Sequence, residues 1–231
     1  IAMRRKGGAQ QKLCKNNMTQ KMKLKEMTLI GVMGGLAALL MMFRFPIPFT
    51  PPFMDFDLSG VLEIIGGFAL GPVAALFIIL VKLLLKLVTM GSSSMMTGEI
   101  QNFVLSAAYV LPAIFIYGRH KTKKRAMAGM IAGTILCTIM AVITNLTIII
   151  PFYVNLMGMT WEGIVEMCSK VNPLMRDVPT MVLFGIVPFN LIKYGATSAL
   201  TLVLYKRISR PMRFFIEDTG RNVYEKERKV W

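Results

Sequence analysis

Apolar runs long enough to cross a bilayer decide what this chain can fold into, because in hydrocarbon every backbone N–H and C=O must be satisfied within a helix or a closed barrel. A helix needs roughly 20 residues to span the ~30 Å apolar layer. By that measure the sequence predicts spans near 27–43, 58–70, 71–90, 99–118, 126–151 and 179–205. The second run is short and is separated from the third only by Gly71-Pro72. Proline opens a helix without losing a needed N–H, so a tight turn is expected there. The expected fold is an all-α integral membrane protein, a six-transmembrane-helix bundle. With 55% apolar and 17% charged residues among 231, neither a cytosolic enzyme nor a disordered tail protein fits.

The charges orient the bundle. Of 27 Lys and Arg, 21 fall in residues 1–26, in Arg119–Arg125 and from Lys206 onward, whereas the opposite loops hold only Arg44, Lys170 and Arg176. Positive residues stay inside, so both termini are expected in the cytosol. The chain then divides into a basic N-terminal arm (1–26), a membrane domain (27–206) and a basic C-terminal tail (207–231). Residues 1–26 lack an apolar core, and the first apolar run is expected to be a retained span rather than a cleaved signal. Arg119-His120-Lys121-Thr122-Lys123-Lys124-Arg125 lies between two spans, which favours a topology determinant in contact with anionic lipid over a nucleic-acid site. His120, the only histidine, is expected to be solvated. Phe214-Phe215 and Trp231 in the tail are expected at the membrane interface.

Catalytic signatures are missing. The sequence contains no phosphate loop, no H-E-x-x-H, no G-x-S-x-G and no aspartate-rich metal motif, so the chain is not expected to be an enzyme, to hydrolyse ATP or to hold a metal or cofactor. Cys14, Cys137 and Cys168 fall in three different compartments and predict no disulfide framework.

Ionisable groups inside spans carry the functional signal, since a Lys or Asp at a helix centre costs about 2.5–3.5 kcal/mol on insertion. Glu63 is expected to pair with a lysine of the adjacent third span. Lys86, about one turn from the outer end of its span, has a stem long enough to reach the headgroups. Lys193 sits deeper and shares a helix face with Asn190. Asn145 lies about two turns inside the outer end of the fifth span, and Glu99, Gln101 and Asn102 open the fourth. These groups are expected to converge on one outward-facing cavity suited to a polar, flat-bodied ligand, because amides present a donor and an acceptor side by side. The loop Arg44–Asp57, with four prolines and three phenylalanines before Phe56, reads as a semi-rigid lid.

These residues resemble the riboflavin-specific substrate-binding (S) components of energy-coupling factor (ECF) transporters. The resemblance runs from about Met27 to Lys206. It rests on Phe45-Pro46-Ile47-Pro48-Phe49 with Pro51-Pro52-Phe53, on Gly67 through Gly71-Pro72-Val73-Ala74 to Val81-Lys82, on Asn102-Phe103, on Asn145 ahead of Pro151, and on Ile186-Val187-Pro188-Phe189-Asn190-Leu191-Ile192-Lys193. It implies a membrane bundle that captures riboflavin from outside, as transported ligand, and docks on a transmembrane coupling protein driven by two ATPase subunits. It further implies that Asn145, Asn190 and Lys193 make the main polar contacts. Lys82, Glu99 and Asn102 would line the pocket, and Phe53, Met54, Asp55 and Phe56 would contact ligand from the lid. The chain departs from the family where some members carry Asn, having Leu83 and Lys86. Gly31-x-x-x-Gly35 and Gly34-x-x-x-Ala38 match a close-approach face through which the first helix would dock on its partner. Two other readings are an S component for a different water-soluble vitamin and a membrane redox protein that holds flavin.

Overall fold

The structure, a computed structural model, describes residues 23–92, 95–204 and 207. The N-terminal arm with Cys14, nearly all of the C-terminal tail, Phe214-Phe215 and Trp231 lie outside the described residues. Within them the chain forms α1 (Lys23–Met42), α2 (Gly60–Leu70), α3 (Pro72–Met90), α4 (Thr97–Arg119), α5 (Lys123–Met157), α6 (Trp161–Val171) and α7 (Val178–Leu204). Five of these, α1, α3, α4, α5 and α7, are long and apolar enough to cross a membrane. The 11 residues of α2 reach about 16 Å, half the apolar layer.

The predicted span limits are close to the observed ones, with two differences. Helix α5 runs six residues past its expected end at 151, to Met157. The connection after it contains α6, an amphipathic helix absent from the sequence reading. Thr160 caps α6 by accepting a hydrogen bond from the Gly163 N–H at 3.0 Å. Ile164 and Cys168 bury its apolar face against Ile150, Met175 and Met181. Burial pushes the Cys168 thiol up to about 11, which leaves it protonated and unreactive.

Small residues let the long helices approach. In α5, Gly129 and Gly133 lie against α4: a Cβ at Gly129 would sit 2.8 Å from the Ala113 carbonyl oxygen, and one at Gly133 would collide with the Tyr109 carbonyl oxygen. Tyr109, fully buried, meets the Ser198 hydroxyl of α7 at 2.9 Å. The central core gathers Ile64, Ile65 and Phe68 of α2, Ile78 of α3, Tyr109 and Ala113 of α4, and Met130 and Cys137 of α5. Helix α1 joins through Met33 and Ala37. Its Gly34 packs on α3, where a Cβ would fall 2.6 Å from Val81 Cγ1.

The expected tight turn at Gly71-Pro72 is present: Gly71 takes φ +98° and Pro72 opens α3. The Arg44–Asp57 loop is folded back on itself, with β1 (Phe45–Pro46) pairing antiparallel to β2 (Asp55–Phe56). Arg44 and Asp55 close its base with an ion pair at 3.0 Å. The tip is held by the residue that follows α6 and by α7. Asn172 Nδ2 donates to the Phe49 carbonyl at 3.1 Å, and Pro51 lies so close to Gly185 that a Cβ there would meet it at 2.9 Å.

Candidate ligand-binding site

Two helices depart from regular geometry where they meet the loop. Residues Asn145–Ile149 of α5 and Val182–Ile186 of α7 form wide π-type turns, single-turn irregularities that concentrate at functional sites. Eight residues of regular helix would carry Tyr153 about 80° around the axis from Asn145. The extra residue absorbed by the wide turn brings it back to within about 20°. Asn145, Ile149, Phe152 and Tyr153 therefore line one wall.

That wall borders a cavity of about 170 Å³ enclosed by the loop and the outer ends of α3, α4, α5 and α7. Of the ten ligand contacts implied by the sequence, Asn145, Asn190, Lys193, Glu99, Asn102, Phe53, Met54 and Asp55 border it. Asn145 and Asn190 are held alike. Each donates Nδ2 to the carbonyl four residues earlier, Ala141 at 2.7 Å and Ile186 at 2.8 Å. Their amide oxygens have no partner among the described residues, leaving two fixed acceptors at the cavity.

Lys193 Nζ donates to Asp57 Oδ2 at 2.7 Å and to the Asp55 carbonyl at 3.4 Å, 5.9 Å from the centre of the Phe189 ring. Asp57 also accepts from Ser59, through both its backbone N–H (3.0 Å) and its hydroxyl. Burial alone would raise the Asp57 pKa. The Lys193 and Lys82 charges and the hydrogen bonds from Lys193 and Ser59 outweigh it, holding the carboxyl well below the usual range. The ammonium is thus tied to the base of the loop while still facing the cavity.

Two of the implied contacts lie away from the cavity. Lys82, 2% exposed, does not border the cavity. It forms a buried ion pair with Glu63, the pairing expected for that glutamate, and donates to Ser59 Oγ at 3.3 Å and Ser106 Oγ at 3.5 Å. Phe56 is turned into the core and stacks on Phe45 at 5.1 Å. Successive strand residues face opposite ways, so Asp55 and Asp57 point to the cavity and Phe56 cannot. Lys86 does not snorkel: it is buried, ion-paired with Glu99, and borders the cavity, while Leu83 packs with Met41 and Ile79.

The small-residue face of α1 also divides. Gly34 and Ala38, expected to dock on a partner, are buried within this chain. Gly31 and Gly35 would meet nothing within 4 Å if given a Cβ. Cavity residues that the sequence reading missed include Asp57, Phe152, Tyr153 and Tyr194. Asp57 had a signal, since it alternates with Asp55 just ahead of an apolar run. The aromatic rings had none, because their facing depends on the wide turns. Phe53 lies 6.0 Å from Tyr153, joining loop to wall.

The family model for the substrate-specific component of ECF transporters matches residues 25–205. The chain is 31% identical over 196 residues to the riboflavin transporter RibU of Staphylococcus aureus, covering 84% of this chain and 94% of that protein. It is 29% identical over 175 residues to the riboflavin transporter FmnP of Bacillus subtilis, covering 74% and 85%. A solved S component of a bacterial ECF transporter superposes with a TM-score of 0.66 at 30% identity, covering 83% of this chain and 99% of that one.

Proposed function

The chain belongs to the substrate-specific components of ECF transporters, and from that premise we propose that it binds riboflavin at the outer face of the cell membrane and delivers it for ATP-driven import. A substrate-specific component is a multi-pass membrane protein and not an enzyme. The observation that carries the proposal is the convergence of the Asn145 and Asn190 amide oxygens with the Lys193 ammonium under Phe53, Met54 and Asp55. Fixed acceptors suit the hydroxyls and ring N–H of a flavin, the ammonium suits its ring carbonyls, and Phe53, Phe152, Tyr153 and Phe189 supply apolar walls for the ring system. Glu99 and Asn102 complete the polar rim. The names of the two relatives support riboflavin as the substrate.

At about 170 Å³ the cavity is below the roughly 300 Å³ at which small-molecule pockets begin. The Arg44–Asp57 loop therefore has to move outward to admit a tricyclic ring, and closes over it. Its partners are a transmembrane coupling protein and two ATPase subunits, which supply the energy that a chain without a phosphate loop cannot. Gly31 and Gly35 on the open face of α1 are the residues of the docking pattern left available to that coupling protein.

Titrating the detergent-purified protein with riboflavin tests the substrate. The expected result is saturable quenching of flavin fluorescence with a rise in thermal stability, and neither effect with thiamine, biotin or folate. A response to one of those instead moves the assignment to another vitamin. Unchanged fluorescence and stability at saturating riboflavin overturn it.

A further inference from the structure

At the opposite end of the molecule the α2–α3 turn and the last residues of α4 leave a groove of about 660 Å³. Phe68, Leu70, Ile114, Phe115 and Tyr117 provide apolar walls, and Arg119 and Lys121 stand at the rim. Both cations are exposed, and neither belongs to any ion pair among the described residues. The sequence explains why. No acidic residue occurs between Glu63 and Glu99 or between Glu99 and Glu162, stretches that contain both connections at this end. Glu63 and Glu99, which bound these stretches, are committed to lysines elsewhere. Their counter-charge must come from outside these two connections.

We propose that this groove is a binding site for an anionic phospholipid of the cytosolic leaflet, with an acyl chain along the apolar walls and the phosphate between Arg119 and Lys121. The positive-inside asymmetry places the groove in that leaflet, where anionic headgroups accumulate. The size lies within the range of built small-molecule sites, and an apolar channel ending in two cations matches a headgroup with its tail rather than a free anion. The site is separate from the outer cavity and goes beyond the substrate reading.

The test compares phosphatidylglycerol with phosphatidylcholine, titrated into the full-length protein in detergent and read by thermal stability and by retained lipid in native mass spectrometry. Phosphatidylglycerol is expected to bind and stabilise, and phosphatidylcholine not. Arg119→Gln/Lys121→Gln should weaken phosphatidylglycerol at least tenfold. Lys123→Gln/Lys124→Gln, an equal charge change away from the groove, should leave it within about twofold. Gly118→Leu, where a Cβ meets nothing within 4 Å, should block the groove and weaken binding while both cations remain. Equal losses in the two charge variants would show diffuse attraction and overturn the site, as would undiminished binding in Gly118→Leu. Competition by millimolar inorganic phosphate would reassign it to a free anion. Riboflavin quenching in the same samples reports on the outer cavity alone, so the two proposals fail separately.

Discussion

The buried pair between α2 and α3 offers the sharpest test, because resemblance to the family implies that Lys82 touches ligand and the structure turns it away. Glu63 and Lys82 are 0% and 2% exposed. The ammonium is satisfied by Glu63 and two serine hydroxyls, while Glu63 Oε2 has no hydrogen-bond partner among the described residues. Glu63→Gln removes the directly bonded counter-charge and leaves the ammonium an amide and two hydroxyls, and Lys82→Met leaves the carboxylate with Ser106. Breaking a buried pair from one side costs about 3–5 kcal/mol, whereas replacing both partners with apolar groups of similar size is close to neutral or stabilising. Independent losses would total about 6–10 kcal/mol, yet Glu63→Met/Lys82→Met is expected within about 2 kcal/mol of the parent. Thermal unfolding in detergent reads this: by the scaling of soluble domains of this size each single variant loses about 6–20 °C and the double variant recovers most of it. Riboflavin titration of the double variant should give a Kd within about threefold of the parent. Additive losses in stability, or a Kd raised tenfold in a stable double variant, would refute the reasoning and return Lys82 to the pocket.

Lys193→Met should weaken riboflavin by about 1.5–3 kcal/mol, the worth of a charged hydrogen bond, read by fluorescence quenching. Because that change strands the Asp57 carboxylate, Asp57→Asn/Lys193→Met is the variant that keeps stability while showing the same loss of affinity. Unaltered affinity in it would make Lys193 structural. The depressed pKa of Asp57 also fixes a pH response. A carboxyl lowered in the folded state stabilises above its unfolded pKa, near 3.9, and loses that contribution as pH falls below it toward the folded value. Stability and riboflavin affinity should therefore be flat from pH 8 to 5 as far as this group decides them, and a binding midpoint between pH 5 and 7 that disappears in Asp57→Asn would contradict the pairing.

The spans were legible because crossing a bilayer demands length and apolarity at once, a demand written into consecutive residues. The Glu63 pairing was legible for a related reason, since an isolated charge at that depth is too costly to leave alone. Orientation of side chains around α3 was not. Lys82 and Lys86 lie one turn apart on one face, and which of them reaches the cavity depends on how far α2 and the loop extend over it. Helix α6 was missed because its stabilisation comes from one narrow stripe, Ile164 and Cys168, and an apolar-run reading looks for continuous runs. Gly31-x-x-x-Gly35 was read as a close-approach face for a partner, and the fold leaves Gly31 and Gly35 open. Gly129 and Gly133, which had no reading, set α5 against the backbone of α4.

The wide turns in α5 and α7 amount to one surplus residue in each helix. Excising a residue from 146–149 would restore regular winding and keep Tyr153 within about 20° of Asn145, whereas winding the full complement of residues regularly would turn it to about 80°, off the wall, with the Gly129–Gly133 crossing untouched. The outer halves of these helices can thus be re-aimed without rebuilding the inner halves. A switch between wide and regular winding at these two places would therefore reshape the cavity wall while the inner crossing stays in register.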